Sequence, residues 1–148
     1  MAYTERLKNA MAKSGSCLCV GLDPRPEHLP DAVKEQYPDP ESRVMHFLKT
    51  VIDVTRDHCA AFKPNLAFFE ALGGAGMEIF RETVEYIPDE KIVIADAKRG
   101  DISSTAERYC HAYFEQFGVD AVTLNPLMGF DTLSPFLNYP DNALYLLV

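Results

Sequence analysis

The sequence predicts an α/β fold with a parallel sheet, and three observations lead to that class. Short apolar runs recur at intervals of roughly 25 to 40 residues, amphipathic helical patterns separate them, and several of the runs end in a polar or charged side chain. This alternation is typical of consecutive right-handed βα units, whose strands run parallel. Because the carboxyl ends of parallel strands meet at one edge, we expect the polar side chains to collect there.

The predicted strands are short and rich in apolar and β-branched residues. A strand at residues 92–95, Ile-Val-Ile-Ala, is the clearest, because it is entirely apolar and runs directly into charged residues. The turn at residues 88–90 leads into that strand. Gly118 ends the helix that follows it, and the next strand begins directly afterwards. The five predicted strands begin at Cys17, Cys59, Ile92, Val119 and Ala143 and end at Leu22, Phe62, Ala95, Leu124 and Val148.

The helices are predicted from apolar spacing and from end signals. Thr4 is expected to cap a first helix through about Lys13, which Gly15 ends. After a long polar loop from Pro24 to Pro40, Asp39 or Ser42 opens the second helix. Further helices are expected at 77–86, from Asp101 to Gly118, and, as a short segment, at 129–137.

The Gly73–Gly76 cluster lies before the helix at 77–86. A glycine-rich helix entry can cradle phosphate, but such a cluster is weak evidence by itself, and plain loop flexibility is the preferred interpretation.

Composition limits the classes of function. The chain has 148 residues and a net charge of −8, which disfavours nucleic-acid binding by bulk electrostatics. An anionic ligand must therefore be held by local cations, and the candidates are Lys63, Lys98, Arg99 and Arg25. The apolar runs are shorter than a membrane span and the N-terminus lacks a signal-peptide core, so a cytoplasmic location and no membrane partner are expected.

Cysteine and histidine spacing does not indicate a metal site. The four cysteines include no Cys-x-x-Cys pair and are expected to be small buried apolar residues. The histidines lack paired ligand spacing and suit surface or capping roles, as His58 does at a helix C-terminus. A nucleophile elbow, a Walker loop and a dinucleotide fingerprint are also missing from the sequence.

Charged and polar side chains follow four of the predicted strands, and they form the candidate site. Asp96 and Lys98 are two residues apart, so extended geometry would place them on one face. Gly100 would permit a backbone turn and Asp101 would begin the next helix, so that two carboxylates flank the Lys98 ammonium. The residues alone leave two readings open, a catalytic site or ordinary capping and charge neutralisation. The polar strand ends are Asp23, Lys63, Asp96 with Lys98, and Asn125.

Four of these strand ends together resemble a known family, orotidine 5′-phosphate decarboxylase, and its larger bacterial subgroup in particular. The matching runs are Val20-Gly-Leu-Asp23, Phe62-Lys63-Pro-Asn65, Asp96-Ala-Lys98-Arg-Gly-Asp101-Ile102-Ser-Ser-Thr105 and Thr123-Leu-Asn-Pro126. The resemblance implies a TIM (β/α)8 barrel that decarboxylates orotidine 5′-phosphate to UMP in pyrimidine synthesis. It further implies a homodimer with a shared active site and neither a metal nor an organic cofactor.

The same resemblance implies roles for individual residues. Lys98 would protonate C6 of the pyrimidine as carbon dioxide leaves, and Asp96 would face the departing carboxylate. Lys63 and Asp101 would complete an alternating charge network. The remaining expected substrate contacts are Asp23 and Lys63 to ribose hydroxyls, Ile102 and Thr105 donated with Asp101 by the partner subunit, and Asn125.

The length of the chain bears on this interpretation, because eight βα units need about 250 residues. Residues 1–148 are expected to form the N-terminal portion of a single barrel domain, namely the first four units and a fifth strand. The phosphate-binding groups would then lie beyond Val148, and the chain alone should not bind the nucleotide tightly. Two alternatives stay open: a magnesium-dependent sugar-phosphate decarboxylase or aldolase of the same suprafamily, and a non-catalytic barrel fragment or assembly subunit.

Overall fold

A computed structural model describes residues 1–148, with the side chain of Ser103 excepted. It contains a five-stranded parallel sheet in the order β1-β2-β3-β4-β5, with each strand paired to the next strand in the chain. The predicted α/β class and parallel sheet are confirmed, although the first, second and fourth strands begin two residues later than expected. The strands are β1 Cys19–Leu22, β2 Ala61–Pro64, β3 Ile92–Arg99, β4 Ala121–Leu124 and β5 Ala143–Leu146.

Helices precede and connect these strands. The sequence predicts a long loop after β1, but this segment contains some regular structure. It includes a 3-10 turn at Pro26–His28 and a short α-helix. The predicted segment at 129–137 consists of separate 3-10 turns. The helices are α1 Tyr3–Ser14, α2 Asp31–Gln36, α3 Pro40–Thr55, α4 Leu66–Glu70, α5 Gly76–Tyr86 and α6 Ser103–Cys110, which continues as a π-helix at His111–Gln116.

Two of the predicted helix ends are confirmed and one is wrong. The Asp39 side chain accepts a hydrogen bond of 2.8 Å from the Ser42 amide, so Asp39 caps α3. Gly15 ends α1 with a left-handed φ of 62°. Thr4 does not cap α1, because the helix begins one residue before it and its N-cap position is Ala2, which has no side-chain hydrogen bond.

The main core lies between the sheet and the helices. Alternate residues of β3, Val93, Ala95 and Ala97, face this helix layer. The layer also buries the apolar stripe of α3, and its largest fully buried side chains are Phe62, Phe69, Phe80 and Phe136. This packing fixes which residues of each strand face the opposite side of the sheet.

The opposite face of the sheet is referred to below as the inner face, and α1 covers its amino end. Tyr3 and Ala10 of α1 are buried in one small cluster with Ile92 and Ile94 of β3. The Tyr3 hydroxyl lies 2.7 Å from that of Tyr145 on β5. Because α1 occupies the amino end, access to the inner face lies toward the carboxyl ends of the strands.

Gly76 allows α4 and α5 to pack closely. A Cβ atom at this position would lie 1.7 Å from the carbonyl oxygen of Phe69 in α4. Gly76 therefore has a packing role that the sequence interpretation did not identify, whereas a Cβ at Gly73 or Gly74 would meet no atom within 4 Å.

The cysteines divide into two pairs. Cys59 and Cys110 are buried as predicted, whereas Cys17 and Cys19 are exposed, so the expectation of burial is wrong for them. The exposure of Cys19 follows from its place on the inner face of the outermost strand. A helix that is long and apolar enough to cross a membrane is not found among the described residues.

Candidate active site

Asp96 lies at the centre of the site, on the inner face of β3. It follows Ile92 and Ile94 at the two-residue repeat of that face. Asp96 is 8% exposed. Its Oδ2 atom accepts a 2.7 Å hydrogen bond from Lys63 Nζ on β2, and its Oδ1 atom accepts one from Lys98 Nζ. One nearly buried carboxylate therefore lies between two ammonium groups.

The surroundings of Asp96 keep it ionised. Burial alone would raise the pKa of this carboxyl, but hydrogen bonds from Lys63, Lys98 and the Thr123 hydroxyl outweigh it, so the pKa lies below its usual value. The two lysines are less enclosed, with side chains 34% and 49% exposed. Both ammonium groups can therefore meet a ligand that enters from the carboxyl ends of the strands.

The arrangement of charges differs from the one predicted for Asp101. We expected Lys98 between two carboxylates, but Asp96 lies between two lysines instead. Asp101 accepts a 2.8 Å hydrogen bond from the Ile102 amide, and among residues 1–102 and 104–148 it forms no ion pair. The segment after β3 carries Asp101 to the start of α6, away from the strand whose end holds Lys98.

Lys98 does not have the extended backbone that the sequence interpretation assumed. Its φ is +50°, in the left-handed region that side chains other than glycine rarely adopt. Gly100, by contrast, is required for close approach rather than for a positive φ, because a Cβ there would lie 2.5 Å from the Asn125 carbonyl oxygen. The long Lys98 side chain still reaches Asp96 from this unusual conformation.

Thr123 is a site residue that the sequence interpretation missed. Its hydroxyl lies 3.0 Å from Asp96 Oδ1 and also accepts hydrogen bonds of 2.9 Å from the amides of Ala97 and Lys98. The available signal was its position in β4, two residues before Asn125 and therefore on the same face. A threonine in a strand is too common for that signal to have been decisive.

Two of the four candidate cations are occupied elsewhere. The Arg99 guanidinium donates to Glu70 and, over 3.0 Å, to the Tyr113 hydroxyl, so it ties the end of β3 to the helix layer. Arg25 lies over the Phe68 ring, 5.2 Å from its centroid. Lys63 and Lys98 are therefore the cations that this geometry directs toward the inner face.

The other predicted contact residues lie on the same rim but outside the lysine–aspartate cluster. Asp23 is exposed at the end of β1, and Ile102 is 59% exposed before α6. Thr105 is half-buried in the first turn of α6. The Asn125 side chain accepts a 3.0 Å hydrogen bond from the Leu127 amide, which caps a 3-10 turn. Substrate contact by these residues stays a prediction.

The cluster favours chemistry in which negative charge develops. Its charges are held by hydrogen bonds before any ligand arrives, so little reorganisation accompanies a change of charge in the ligand. Lys98 can donate a proton, Lys63 can hold an oxygen or balance charge, and Asp96 can orient both. Both Asp96 oxygens already accept hydrogen bonds from ammonium groups, so this carboxylate is poorly placed to bind a metal ion.

Comparisons of the sequence with known proteins agree on one family. The profile of the orotidine 5′-phosphate decarboxylase / HUMPS family matches residues 16–148. The orotidine 5′-phosphate decarboxylase of Herpetosiphon aurantiacus is 42% identical over 145 residues, which are 98% of this chain and 53% of that protein. That of Clostridium kluyveri is 44% identical over 140 residues, 93% of this chain and 48% of the relative. The chain thus spans about half the length of these curated relatives.

Solved structures show the same likeness in three dimensions. A putative orotidine-monophosphate decarboxylase from Toxoplasma gondii superposes with a TM-score of 0.90 at 36% identity, covering 99% of this chain and 48% of the other. The Leishmania donovani OMP decarboxylase gives a TM-score of 0.84 at 36% identity, covering 99% and 53%. The five parallel strands are therefore part of a TIM barrel, as the resemblance implied, and the chain belongs to the orotidine 5′-phosphate decarboxylase / HUMPS family.

Proposed function

We propose that this chain provides the decarboxylating charge cluster of an enzyme that converts orotidine 5′-phosphate to UMP in pyrimidine biosynthesis. The observation that carries the proposal is Asp96 held between Lys63 and Lys98 on the inner face of the barrel strands. Membership of the family supports the reaction class, and the curated relatives cited above bear this enzyme's name.

In the proposed reaction Lys98 is the proton donor. The bond between C6 and the carboxyl carbon breaks, carbon dioxide leaves, and the electron pair that remains on C6 takes a proton from the Lys98 ammonium. Asp96 holds that ammonium in place while the charge on C6 develops. The Lys98 side chain is 49% exposed, so the neutral amine can regain its proton from water after product release.

Asp96 also faces the substrate carboxylate in this proposal, and Lys63 limits the resulting repulsion. The Lys63 ammonium donates one N–H to Asp96 Oδ2 over 2.7 Å, so its two other N–H groups remain free. In this proposal they donate to the ribose hydroxyls, which Asp23 also contacts. Electrostatic stabilisation at C6 is the main effect we invoke, and repulsion in the ground state is secondary.

A homodimer with a shared site would place Asp101, Ile102 and Thr105 beside the partner's substrate. The exposure of Ile102, at 59%, and the absence of an ion pair to Asp101 within the described part of the chain support this arrangement. In a protein that contains the whole barrel, mixing inactive Lys98→Ala and Asp101→Ala variants should then restore some activity in hybrid dimers. Absence of recovery after verified subunit exchange would rule out a shared site.

The magnesium-dependent relatives remain the alternative activity. At the position of Lys63, those relatives are expected to carry an acidic residue. Without the lysine, Asp96 would be free to coordinate a cation. Turnover of orotidine 5′-phosphate in excess EDTA supports the metal-free reaction. Turnover that EDTA abolishes and magnesium restores would favour the alternative.

The deciding experiment follows the loss of ultraviolet absorbance of orotidine 5′-phosphate in EDTA, with the polypeptide mass checked on the same sample. Because the relatives are about twice as long, the assay needs two proteins: the 148-residue chain, and that chain joined to the carboxyl-terminal half of the Herpetosiphon aurantiacus relative. Turnover by the fusion that Lys98→Ala abolishes supports the proposal. A folded fusion without turnover would overturn it.

A further inference from the structure

We propose that Thr123 is a positioning residue for this reaction, and that its hydroxyl holds both Asp96 and the backbone of Lys98 in the geometry that catalysis requires. The inference rests on the proposed function. The observation behind it is the set of three hydrogen-bond contacts made by one Thr123 oxygen, two to amides of β3 and one to Asp96 Oδ1.

The direction of the Thr123 proton follows from counting donors and acceptors. A hydroxyl has one proton and two lone pairs. The amides of Ala97 and Lys98 can only donate, so they occupy both lone pairs, each at 2.9 Å. The single proton must then point to Asp96 Oδ1, 3.0 Å away.

The same contacts explain a break in the pairing of β3 with β4. Ala95 is opposite Val122 and Arg99 is opposite Leu124, so three residues of β3 face Thr123 alone. A bulge of this kind leaves amides without a partner in the strand ladder. The Thr123 hydroxyl supplies that partner for Ala97 and Lys98.

The bulge gives Lys98 its positive φ, a conformation that is costly for a residue with a side chain. Without the hydroxyl, the bulged segment has a driving force to relax toward ordinary extended backbone. Relaxation would move the root of the Lys98 side chain and turn its ammonium away from the inner face. Thr123 therefore acts on the proposed proton donor through the backbone as well as through Asp96.

The test compares Thr123→Val, which keeps the shape and removes the hydroxyl, with Thr123→Ser, which restores it. Thr83→Val is the matched control, because the buried Thr83 hydroxyl donates 2.6 Å to the Ile79 carbonyl inside α5, remote from the cluster. If Thr123→Val does not fold, Thr123→Cys replaces it, since a thiol is a weak hydrogen-bonding group of similar size.

Two readouts keep this inference separate from the proposed function. Amide hydrogen exchange is measured first, and Thr123→Val should accelerate exchange at Ala97 and Lys98 about fivefold to tenfold, corresponding to the net value of one hydrogen bond. Thr123→Ser and Thr83→Val should leave both amides protected. Exchange unchanged in Thr123→Val would overturn the inference whether or not the protein decarboxylates its substrate.

Turnover is measured second, in the preparation that is active in the assay above. Thr123→Val should lower kcat about 100-fold, as misplacement of a catalytic group by about 1 Å does, with a smaller effect on KM. Thr123→Ser should recover most of the rate. Normal kcat in Thr123→Val, or no recovery in Thr123→Ser, would overturn a positioning role. Lack of turnover by the unmodified protein would instead count against the proposed function, while the exchange result would still decide whether Thr123 holds the bulge.

Discussion

Lys63 Nζ lies 2.7 Å from Asp96 Oδ2, across two neighbouring strands, although the residues are 33 positions apart in the chain. Parallel pairing of β2 with β3 brings them together, and Lys98 completes the cluster from the end of β3. The carboxylate compensates two positive charges that would otherwise repel each other. Removing it should therefore affect stability as well as chemistry.

Asp96→Asn should destabilise the protein by roughly 2 kcal/mol at pH 7, less than the loss of a fully buried ion pair because both lysines are partly exposed to water. The folded state lowers the Asp96 pKa, so its contribution is present above the unfolded value near 3.9 and is lost as the pH falls through and below that value. Urea unfolding from pH 7 to pH 3 measures this. The variant should lose less stability over that range than the parent protein.

The control for this experiment is Asp31→Asn, which removes an exposed carboxylate that pairs with Lys34 at 3.4 Å. It should follow the pH dependence of the parent. An Asp96→Asn profile parallel to the parent profile would show that the ion pairs with Asp96 contribute little to folding.

Lys98→Ala should lower turnover by at least about 1,000-fold, because the variant loses both the proton donor and a positive charge beside C6. Its unfolding free energy should change by less than about 1 kcal/mol, since Asp96 keeps its bonds from Lys63 and Thr123 and the Lys98 side chain is 49% exposed. Lys13→Ala is the control, a lysine paired with Glu90 at 3.1 Å on the surface. Loss of assembly with Lys98→Ala, rather than of turnover, would favour a structural role.

Much of this site could be predicted because it depends on local sequence. The strand at 92–95 is apolar, so its two-residue repeat places Asp96 on the inner face without knowledge of the neighbouring strands. Its charged end also identifies Lys98, although Lys98 reaches the cluster from a left-handed backbone and not from the extended one that the repeat assumes. The end of the preceding apolar strand identifies Lys63 by the same reasoning. Asp39 was predictable as a cap because side-chain capping involves an amide only three residues away.

The features that could not be predicted depend on contacts between strands. The role of Thr123 arises from a register shift between β3 and β4, and no local pattern in either strand specifies that shift. The φ of Lys98 is a consequence of the same shift. Asp101 was misplaced for a related reason, since its distance from Lys98 depends on how the chain turns into α6.

Gly100→Ala should disturb the site by displacing the backbone at the ends of β3 and β4. The new Cβ would lie 2.5 Å from the Asn125 carbonyl oxygen, so the ends of β3 and β4 must separate. We expect a loss of about 1 to 3 kcal/mol in the unfolding free energy, together with reduced turnover, because Lys98 lies two residues away. Gly21→Ala is the control in β1, where the nearest atom to a new Cβ is an Asp23 oxygen at 4.0 Å. Equal unfolding free energies in the two variants would contradict the close-approach argument.

Gly76→Ala tests the packing of α5 on α4, well away from the charge cluster. Its Cβ would lie 1.7 Å from the Phe69 carbonyl oxygen and 2.7 Å from the Phe69 carbonyl carbon, both of them backbone atoms. Neither atom can rotate away, so one helix must shift, and the expected cost is about 3 kcal/mol or more. Thermal and urea unfolding measure that cost.

Gly74→Ala provides the comparison for this last experiment, because a Cβ there meets nothing within 4 Å and the residue lies two positions earlier in the same segment. It should leave stability unchanged or raise it slightly by restricting the unfolded chain. If the cluster served mainly as a flexible loop, both substitutions would stiffen it and would have similar effects. A large loss confined to Gly76→Ala would instead show that helix packing explains the glycine at position 76.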